Sequence, residues 1–395
     1  MDANLFMIVG FLLAAYSIVA NDAIQTLGTF LASNANRPWW VLWLYACGIL
    51  TAVLVTGWIV NNGDPAFGRL ERFPLPTNPD GTVAVGWLHA LPPLAILILT
   101  RFGIPVSTTF LVLTVFRPSG LDSMLVKSAG GYLLAFVAGL LVVSLISAKA
   151  ERHFLATKDR EPGLGWVVFQ WCSTGFLWAV WLMQDLANIF AYLSRDLSVW
   201  GLVFALAAML LLHAVIFYRH GGEIQKIVTS KTNTTDIRSA TIIDLIFGAI
   251  LLYKVTISTV PMSTTWVFLG LLAGREIAFS LRNVSGRSMG DVGRLIGKDA
   301  LKALIGLVVS VALAFGIPAL LKDDSNHPDA IEGATESVSE SSGEGLGEVA
   351  DGLDDDVDDP DAADDDLDDA ADTLKDAGSD LDDAIKDAAE EDAVE

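Results

Sequence analysis

Long runs of apolar residues, separated by short polar stretches, fill the chain from residue 5 to residue 321. A helix needs about 20 such residues to cross the roughly 30 Å hydrocarbon core of a bilayer. The pattern predicts ten helical segments, at 5–31, 39–60, 83–99, 104–116, 129–148, 164–193, 199–217, 240–257, 262–281 and 301–321. Several are short or interrupted by polar residues, so some are expected to be broken or re-entrant. We therefore predict an all-α polytopic membrane protein.

Charge divides the chain into an apolar body and an acidic tail. The formal net charge of the whole chain is −22. Residues 322–395 hold 30 Asp and Glu against 3 Lys, whereas residues 1–321 hold 17 acids against 22 Lys and Arg. The tail is too acidic and too poor in apolar residues to fold, so we expect it to be disordered. The body has no basic stripe, so no nucleic-acid partner is expected.

The basic residues between the runs predict the orientation, because loops rich in Lys and Arg stay in the cytoplasm. With the N-terminus outside, fifteen of them fall inside and five outside, namely Arg69, Arg72, Arg117, Lys127 and Arg195. We expect a cell-membrane protein with both termini outside. The loops at 149–163, 218–239 and 282–302 are expected to be cytoplasmic, and they carry no nucleotide-binding motif.

Two motifs occur twice, in the same order. The first is an amide, an aspartate, two apolar residues and a second amide, at 21–25 and 184–188. The second is Pro-x-Ser-Thr-Thr, at 105–109 and 261–265. Each half holds an odd number of apolar runs, so the halves are predicted to be inverted-topology repeats. The predicted organisation is a repeat at 1–148, a linker at 149–163, a repeat at 164–321 and the tail at 322–395.

Each aspartate motif places a carboxylate inside an apolar run. A charge at that depth costs about 2.5 to 3.5 kcal/mol on the insertion scale, so it persists only beside a cation, a hydrogen-bonding partner or water. Carboxylate and amide oxygens together are ligands for hard cations such as Na⁺. The alternative is that the aspartates only hold helices together through hydrogen bonds. The candidate cation-binding residues are Asn21, Asp22, Gln25, Gln184, Asp185 and Asn188.

The Pro-x-Ser-Thr-Thr motifs are typical of helix starts, whose free N–H groups and partial positive charge attract anions. Ordinary helix capping is the alternative. The candidate anion-binding residues are Ser107, Thr108, Thr109, Ser263, Thr264 and Thr265. None of the four motifs contains Lys or Arg. Because two carboxylates and an anion repel each other, mobile cations are expected to accompany the anion. Elsewhere, the adjacent Arg275 and Glu276 are expected to find partners other than each other.

These motifs resemble those of the inorganic phosphate transporter (PiT) family, whose repeats carry Asn-Asp-x-x-Asn and Pro-x-Ser-Thr-Thr-His elements. The family's spacing through Gly-Thr is kept in the first copy, Asn21-Asp22-Ala23-Ile24-Gln25 with Gly28-Thr29. The resemblance spans residues 1–321 and implies outward termini and uptake driven by Na⁺ or H⁺. It also implies cations near Asp22, Asp185 and the amides, and the anion near the Ser-Thr-Thr runs.

The chain departs from the family pattern at several positions. The substitutions are Gln25 and Gln184 for Asn, Phe110 and Trp266 for His, and Ala191-Tyr192 for a Gly-led pair. The runs at 39–60 and 199–217 contain no acid, although the family often has a glutamate in the helix after the Asn-Asp motif. The resemblance extends to sulfate permeases, so sulfate is an alternative substrate.

We expect a cation-coupled secondary transporter of inorganic phosphate, not an enzyme, that uses Na⁺ or H⁺ as its coupling ion and no cofactor. One alternative is a symporter of sulfate or another oxyanion. Two others are a non-transporting membrane sensor and an intramembrane aspartyl hydrolase with Asp22 and Asp185 as its dyad. The expected partners are the oxyanion, the lipid bilayer and, in a homodimer, a second copy of the chain.

Overall fold

The computed structural model describes residues 3–78, 81–102, 104, 106–144, 148–157, 163–219, 236–283 and 288–324. The chain divides into two units, Met1–Leu321 and Lys322–Glu395. The first unit contains the site residues discussed below. The acidic tail predicted to be disordered lies outside the described residues, apart from its first three positions.

Helices account for almost all regular structure in the described ranges. The first half contains α1 (Ala3–Ile18), α2 (Ile24–Ser33), α3 (Trp39–Val60), α4 (Leu91–Arg101), α5 (Thr108–Phe116) and α6 (Leu121–Val142). After α7 (Ala148–Ala156), the second half contains α8 (Leu164–Phe190), α9 (Val199–Tyr218), α10 (Ile237–Ile257), α11 (Thr264–Leu281) and α12 (Met289–Asp324). One isolated bridge, between Thr77 and Val83, is the only β pairing in these ranges. The predicted all-α fold is confirmed.

The helices of the described chain differ widely in length. Seven are long and apolar enough to cross a bilayer, over Leu5–Asp22, Trp39–Val60, Pro118–Val142, Leu164–Phe190, Val199–Tyr218, Ile237–Ile257 and Met289–Ile317. By contrast, α5 has nine residues and a length of about 14 Å, too short to cross. The ten predicted runs therefore comprise both full-length and partial helices.

The helix that carries the first aspartate motif is broken, whereas its counterpart is not. Between α1 and α2, residues Val19–Ala23 form a π-helical turn that includes Asp22. Such turns widen the helix and are frequent at functional sites. In the second half, α8 runs without interruption through Asp185. The two motifs thus have similar sequences but different backbones.

Several predicted boundaries are wrong, among them those of the segment predicted at 129–148, which forms α6 over Leu121–Val142. The segment predicted from residue 83 becomes helical only at Trp87, and α4 begins at Leu91, where Pro92 suits a first helical turn. The loop predicted at 282–302 is helical from Met289, and part of the linker forms α7. Hydropathy marks only the apolar part of a helix, so it misses amphipathic ends that extend beyond it.

Hydrogen bonds between connecting segments place the ends of the helices on two opposite sides of the helical body. On one side, Arg195 Nη2 donates a hydrogen bond to Phe73 O, at 2.5 Å. On the other, Arg152 Nη2 donates to Arg282 O, at 2.6 Å. This grouping agrees with the alternation used to assign the basic loops. Which side faces the cytoplasm stays a prediction.

Small residues allow α6 and α11 to approach closely. Gly270 and Gly274 form a G-x-x-x-G pattern on α11. A Cβ atom on Gly274 would overlap Phe136 O, and one on Gly270 would overlap Tyr132 O. In lipid, where apolar side chains gain nothing from leaving water, this backbone contact is a main source of helix association. These two glycines therefore hold α11, which begins in the second hydroxyl motif, against α6.

Replacing Gly274 by Ala should force these two helices apart. Overpacking of this kind costs about 1–3 kcal/mol, so the purified variant should unfold at a lower temperature than the wild type. Gly130→Ala is the matched control, since Gly130 lies on α6 and a Cβ atom there would meet nothing within 4 Å. Equal melting temperatures for the two variants would contradict the close approach.

Candidate functional site

Asp22 is held by side chains from both halves of the chain. Its side chain is buried, with 1% of the residue exposed. Asp22 Oδ2 accepts a hydrogen bond from Thr108 Oγ1 at 2.5 Å. Asp22 Oδ1 accepts hydrogen bonds from Asn21 Nδ2 at 2.8 Å and from Thr265 Oγ1 at 3.4 Å. Neutral donors therefore contact both oxygens of this carboxylate.

Asp185 is linked to the same cluster through Asn188. Asn188 Nδ2 donates to Asp185 Oδ1 at 2.8 Å, one turn earlier on α8. The same amide group lies 3.2 Å from Thr108 Oγ1 and 3.1 Å from Thr109 Oγ1. Thr108 thus contacts Asp22 on one side and Asn188 on the other. One buried hydrogen-bonded chain joins the two carboxylates.

The two hydroxyl motifs exchange equivalent contacts. Thr265 Oγ1 donates to Val106 O at 3.0 Å, and Thr109 Oγ1 donates to Met262 O at 3.3 Å. In each case the last threonine of one motif contacts the carbonyl group that precedes the serine of the other. The sequence duplication therefore has a counterpart in the geometry of the site.

The residues that follow the hydroxyl motifs also meet. The rings of Phe110 and Trp266 pack edge to face, with centroids 5.4 Å apart and an interplanar angle of 90°. These are the positions where the PiT family pattern has histidine. An apolar aromatic pair offers no strong hydrogen-bonding group there except the Trp266 indole N–H.

The two serines of these motifs act as helix caps. Ser107 Oγ accepts a hydrogen bond from Phe110 N at 3.3 Å, and Ser263 Oγ accepts one from Trp266 N at 3.2 Å. The short helix α5 and the longer α11 begin directly after them. In this conformation the two serines therefore serve as ordinary helix caps, which was the alternative to anion binding. Thr108, Thr109 and Thr265 instead point into the cluster.

Of the four amide residues predicted to bind a cation, two contact the aspartates and one does not. Asn21 and Asn188 contact the aspartates beside them. Gln184 does not join the cluster through its amide nitrogen, because its Nε2 donates to Leu251 O at 3.5 Å. The side chain of Gln25 lies outside the described residues. Thr264 lies beside Asp185.

Two oxygens of the cluster have no hydrogen-bond donor within the described part of the chain. They are Asp185 Oδ2 and Asn188 Oδ1, and both are buried. A buried acceptor without a partner costs about 1–3 kcal/mol. Both residues lie one turn apart on the same face of α8. A carboxylate oxygen and an amide oxygen placed together suit a hard cation.

Sequence reasoning missed a third buried carboxylate. Asp244 on α10 is 2% exposed. It accepts hydrogen bonds from Thr29 Oγ1 at 2.8 Å and from Thr174 Oγ1 at 2.5 Å. It therefore ties α10 to α2 and α8. Asp244 is the sole acid in the run at 240–257, so the criterion that identified Asp22 could also have found it.

A buried arginine reaches the site from a loop. Arg69 is 4% exposed. Its Nε donates to Met183 O at 2.8 Å, and its Nη1 donates to Ser258 O at 3.2 Å. Burial lowers the pKa of Arg69, and the nearby Asp185 carboxylate opposes that shift. The expectation that only mobile cations balance the carboxylates is therefore incomplete. No local sequence signal marks this loop residue.

Two charged residues on α11 pair with each other, contrary to expectation. Arg275 Nη1 lies 2.9 Å from Glu276 Oε1. Adjacent helix positions point about 100° apart, but both side chains are long enough to bend together. Beside them, a largely apolar cavity is lined by Trp266, Leu272 and Leu307 together with the acids Glu276 and Asp299. Its apolar and acidic walls do not suit an anion.

The Asp244 contacts predict a stability effect. Asp244→Ala removes the acceptor for two buried hydroxyl groups, which should cost about 1–3 kcal/mol and lower the melting temperature of the purified protein. Asp122→Ala is the control, since Asp122 is exposed at the start of α6. If the Asp244→Ala and Asp122→Ala variants have the same melting temperature, these hydrogen bonds do not hold the helices together.

The fold is similar to that of a solved structure described as "The sodium-dependent phosphate transporter", with a TM-score of 0.57 and 16% sequence identity. The match covers 81% of this chain and 98% of that chain. No family model and no curated protein sequence matches the chain. At this identity the similarity shows a shared fold. Together with the seven apolar helices, it identifies a multi-pass membrane protein with the fold of a transporter.

Proposed function

We propose that the protein is a secondary transporter that moves inorganic phosphate across the cell membrane together with Na⁺. The observation that carries this proposal is the buried cluster in which Asp22, Thr108, Asn188 and Asp185 form one hydrogen-bonded chain. It unites both aspartate motifs with hydroxyl groups at helix starts. Cation ligands and anion donors are thus within hydrogen-bonding distance of each other. The name of the structural neighbour supports the same substrate class.

The acceptors on α8 favour Na⁺ over H⁺ as the coupling ion. A proton binds a single oxygen, and an amide oxygen is too weak a base to hold one near neutral pH. Na⁺ instead needs several oxygens, of which a carboxylate and an amide are suitable. Asp185 Oδ2 and Asn188 Oδ1 are such a pair, and neither has a donor among the described residues.

The carboxylates favour phosphate over sulfate. Near neutral pH inorganic phosphate retains a proton that it can donate to a carboxylate, whereas sulfate has acceptor oxygens alone. Beside Asp22 or Asp185, sulfate would therefore meet only repulsion unless a cation intervened. The threonine hydroxyls do not discriminate, because they donate equally well to either anion.

The cluster is closed to solvent, so the proposed transport requires a conformational change. Asn21, Asp22, Asp185 and Asn188 are each 1% exposed or less. In inverted-repeat transporters, movement of one repeat relative to the other opens a central site to each side in turn. The reciprocal contacts of Thr109 and Thr265 support such a relation between the halves.

The geometry disfavours the hydrolase alternative. A catalytic aspartate dyad shares one proton between two carboxylates in direct contact. Here Thr108 and Asn188 stand between Asp22 and Asp185, and neutral donors contact both oxygens of Asp22. A sensor could keep the same cluster, so only a measurement of flux separates it from a transporter.

Uptake of radiolabelled phosphate into proteoliposomes tests the proposal. An inward Na⁺ gradient should drive accumulation, whereas a pH gradient alone should not. Asp22→Asn and Asp185→Asn should each lower the Na⁺-driven rate by about tenfold or more, because each removes a charged ligand. Asp122→Asn, which changes an exposed carboxylate, should transport normally. Normal uptake by Asp22→Asn would rule out the site, and no uptake by the wild type would rule out the function.

Substrate choice is tested by competition in the same assay. Unlabelled phosphate in excess should suppress the uptake of labelled phosphate, and an equal concentration of sulfate should leave it unchanged. Labelled sulfate should not accumulate under the Na⁺ gradient. Accumulation of sulfate without phosphate would assign the protein to the alternative oxyanion.

A further inference from the structure

Four basic residues gather beside the loop that leads into the second hydroxyl motif. We call Arg69, Arg72, Lys127 and Lys254 the basic cluster. Ser258, which directly follows α10, contacts the side chains of Arg69 and Lys127. Its carbonyl oxygen accepts a hydrogen bond from Arg69 Nη1, and its hydroxyl accepts one from Lys127 Nζ.

The cluster concentrates like charge. Lys254 O accepts a hydrogen bond from Ser258 N at 3.1 Å, and Arg72 lies in the same short helical turn as Arg69. Both Arg72 and Lys254 act electrostatically on Lys127. Asp185 acts electrostatically on Arg69, but no carboxylate among the described residues forms an ion pair with any member of the cluster. Glu71 and Asp122, the acids nearest in sequence to Arg69 and Lys127, are exposed. Like charges in partly buried surroundings repel strongly unless an anion lies between them.

Arg69 connects the cluster to the central site. It is the most buried member, and it contacts Met183 O, two residues before Asp185. The segment after Ser258 leads within five residues to Ser263, the cap of α11. A short segment of chain therefore connects the cluster to the second hydroxyl motif.

The backbone around Arg69 is built to hold it in place. Asp64 accepts hydrogen bonds from Ala66 N at 2.7 Å and from Gly68 N at 2.8 Å. Phe67 and Gly68 have φ values of 58° and 73°, a left-handed conformation that is uncommon for a residue with a side chain. Arg69 follows directly. A strained turn of this kind persists only where the surrounding contacts fix it.

We propose that the basic cluster binds a phosphate-type oxyanion as a second site, separate from Asp22 and its partners. Lys127, Lys254 and Arg69 supply the positive charge, and Arg72 lies at the exposed rim. The site rests on the proposed function, for which it would concentrate substrate beside the central cluster. A lipid headgroup carries the same phosphate chemistry, so both sources need to be tested.

Binding is measured without transport, by phosphorus NMR line broadening of inorganic phosphate. The full-length protein is placed in nanodiscs of phosphatidylcholine in Na⁺-free buffer, because without a cation the two carboxylates of the central site repel an anion. Broadening should remain, and Lys127→Gln with Lys254→Gln should weaken binding by about fivefold. Lys127→Arg with Lys254→Arg retains the charge and should bind like the parent. Lys298→Gln controls for loss of an exposed lysine elsewhere.

Anionic nanodiscs distinguish the two sources of phosphate. If added phosphatidylglycerol abolishes the broadening, a lipid headgroup is the ligand and the oxyanion site stands. If broadening persists, free phosphate is the ligand. Equal broadening for the double Gln variant, the double Arg variant and the parent in neutral nanodiscs would overturn the site. This result does not depend on whether the wild type transports phosphate.

Transport gives a second readout. In proteoliposomes, Lys127→Gln with Lys254→Gln should raise KM for phosphate about fivefold at low salt and leave kcat unchanged. The difference should shrink as salt rises, because exposed charges are screened beyond about 8 Å at physiological ionic strength. A KM that stays at the wild-type value at low salt would contradict a role in substrate capture.

Discussion

Asp22 and Asp185 lie in one hydrogen-bonded chain inside an apolar helical body, and the free energy of keeping two carboxylates there constrains the whole site. Hydroxyl and amide donors offset part of the lost hydration, and Arg69 supplies one fixed positive charge near Asp185. Bringing an anion into such surroundings adds further repulsion. A mobile cation removes that repulsion, which is the physical basis of the coupling that we propose.

The two halves of the site are alike in their contacts but unequal in their carboxylates. Thr109 and Thr265 exchange equivalent hydrogen bonds across the halves. Asp22 sits in a π-helical turn and both of its oxygens accept hydrogen bonds, whereas Asp185 sits in a continuous helix and its Oδ2 has no donor among the described residues. Two cation sites built on these residues would therefore differ in affinity.

The surrounding helices hold this site through contacts of different kinds. The glycines of α11 allow backbone contact with α6, and Asp244 ties α10 to α2 and α8 through threonine hydroxyls. Neither contact involves the residues proposed to bind ions. A framework fixed by such contacts can keep its geometry while the closed central cluster opens, as the proposed transport requires.

The sequence alone determined the helical class, the apolar runs, the two duplicated motifs and the starts of α5 and α11. These features depend on residues that are close together in the chain. The sequence also singled out Asp22 and Asp185, since an acid in an apolar run is visible without a structure. Only the tertiary structure decided that Thr108 joins both carboxylates, that Gln184 points elsewhere and that Arg69 arrives from a distant loop. These are contacts between residues far apart in the chain, and their geometry depends on how the helices pack.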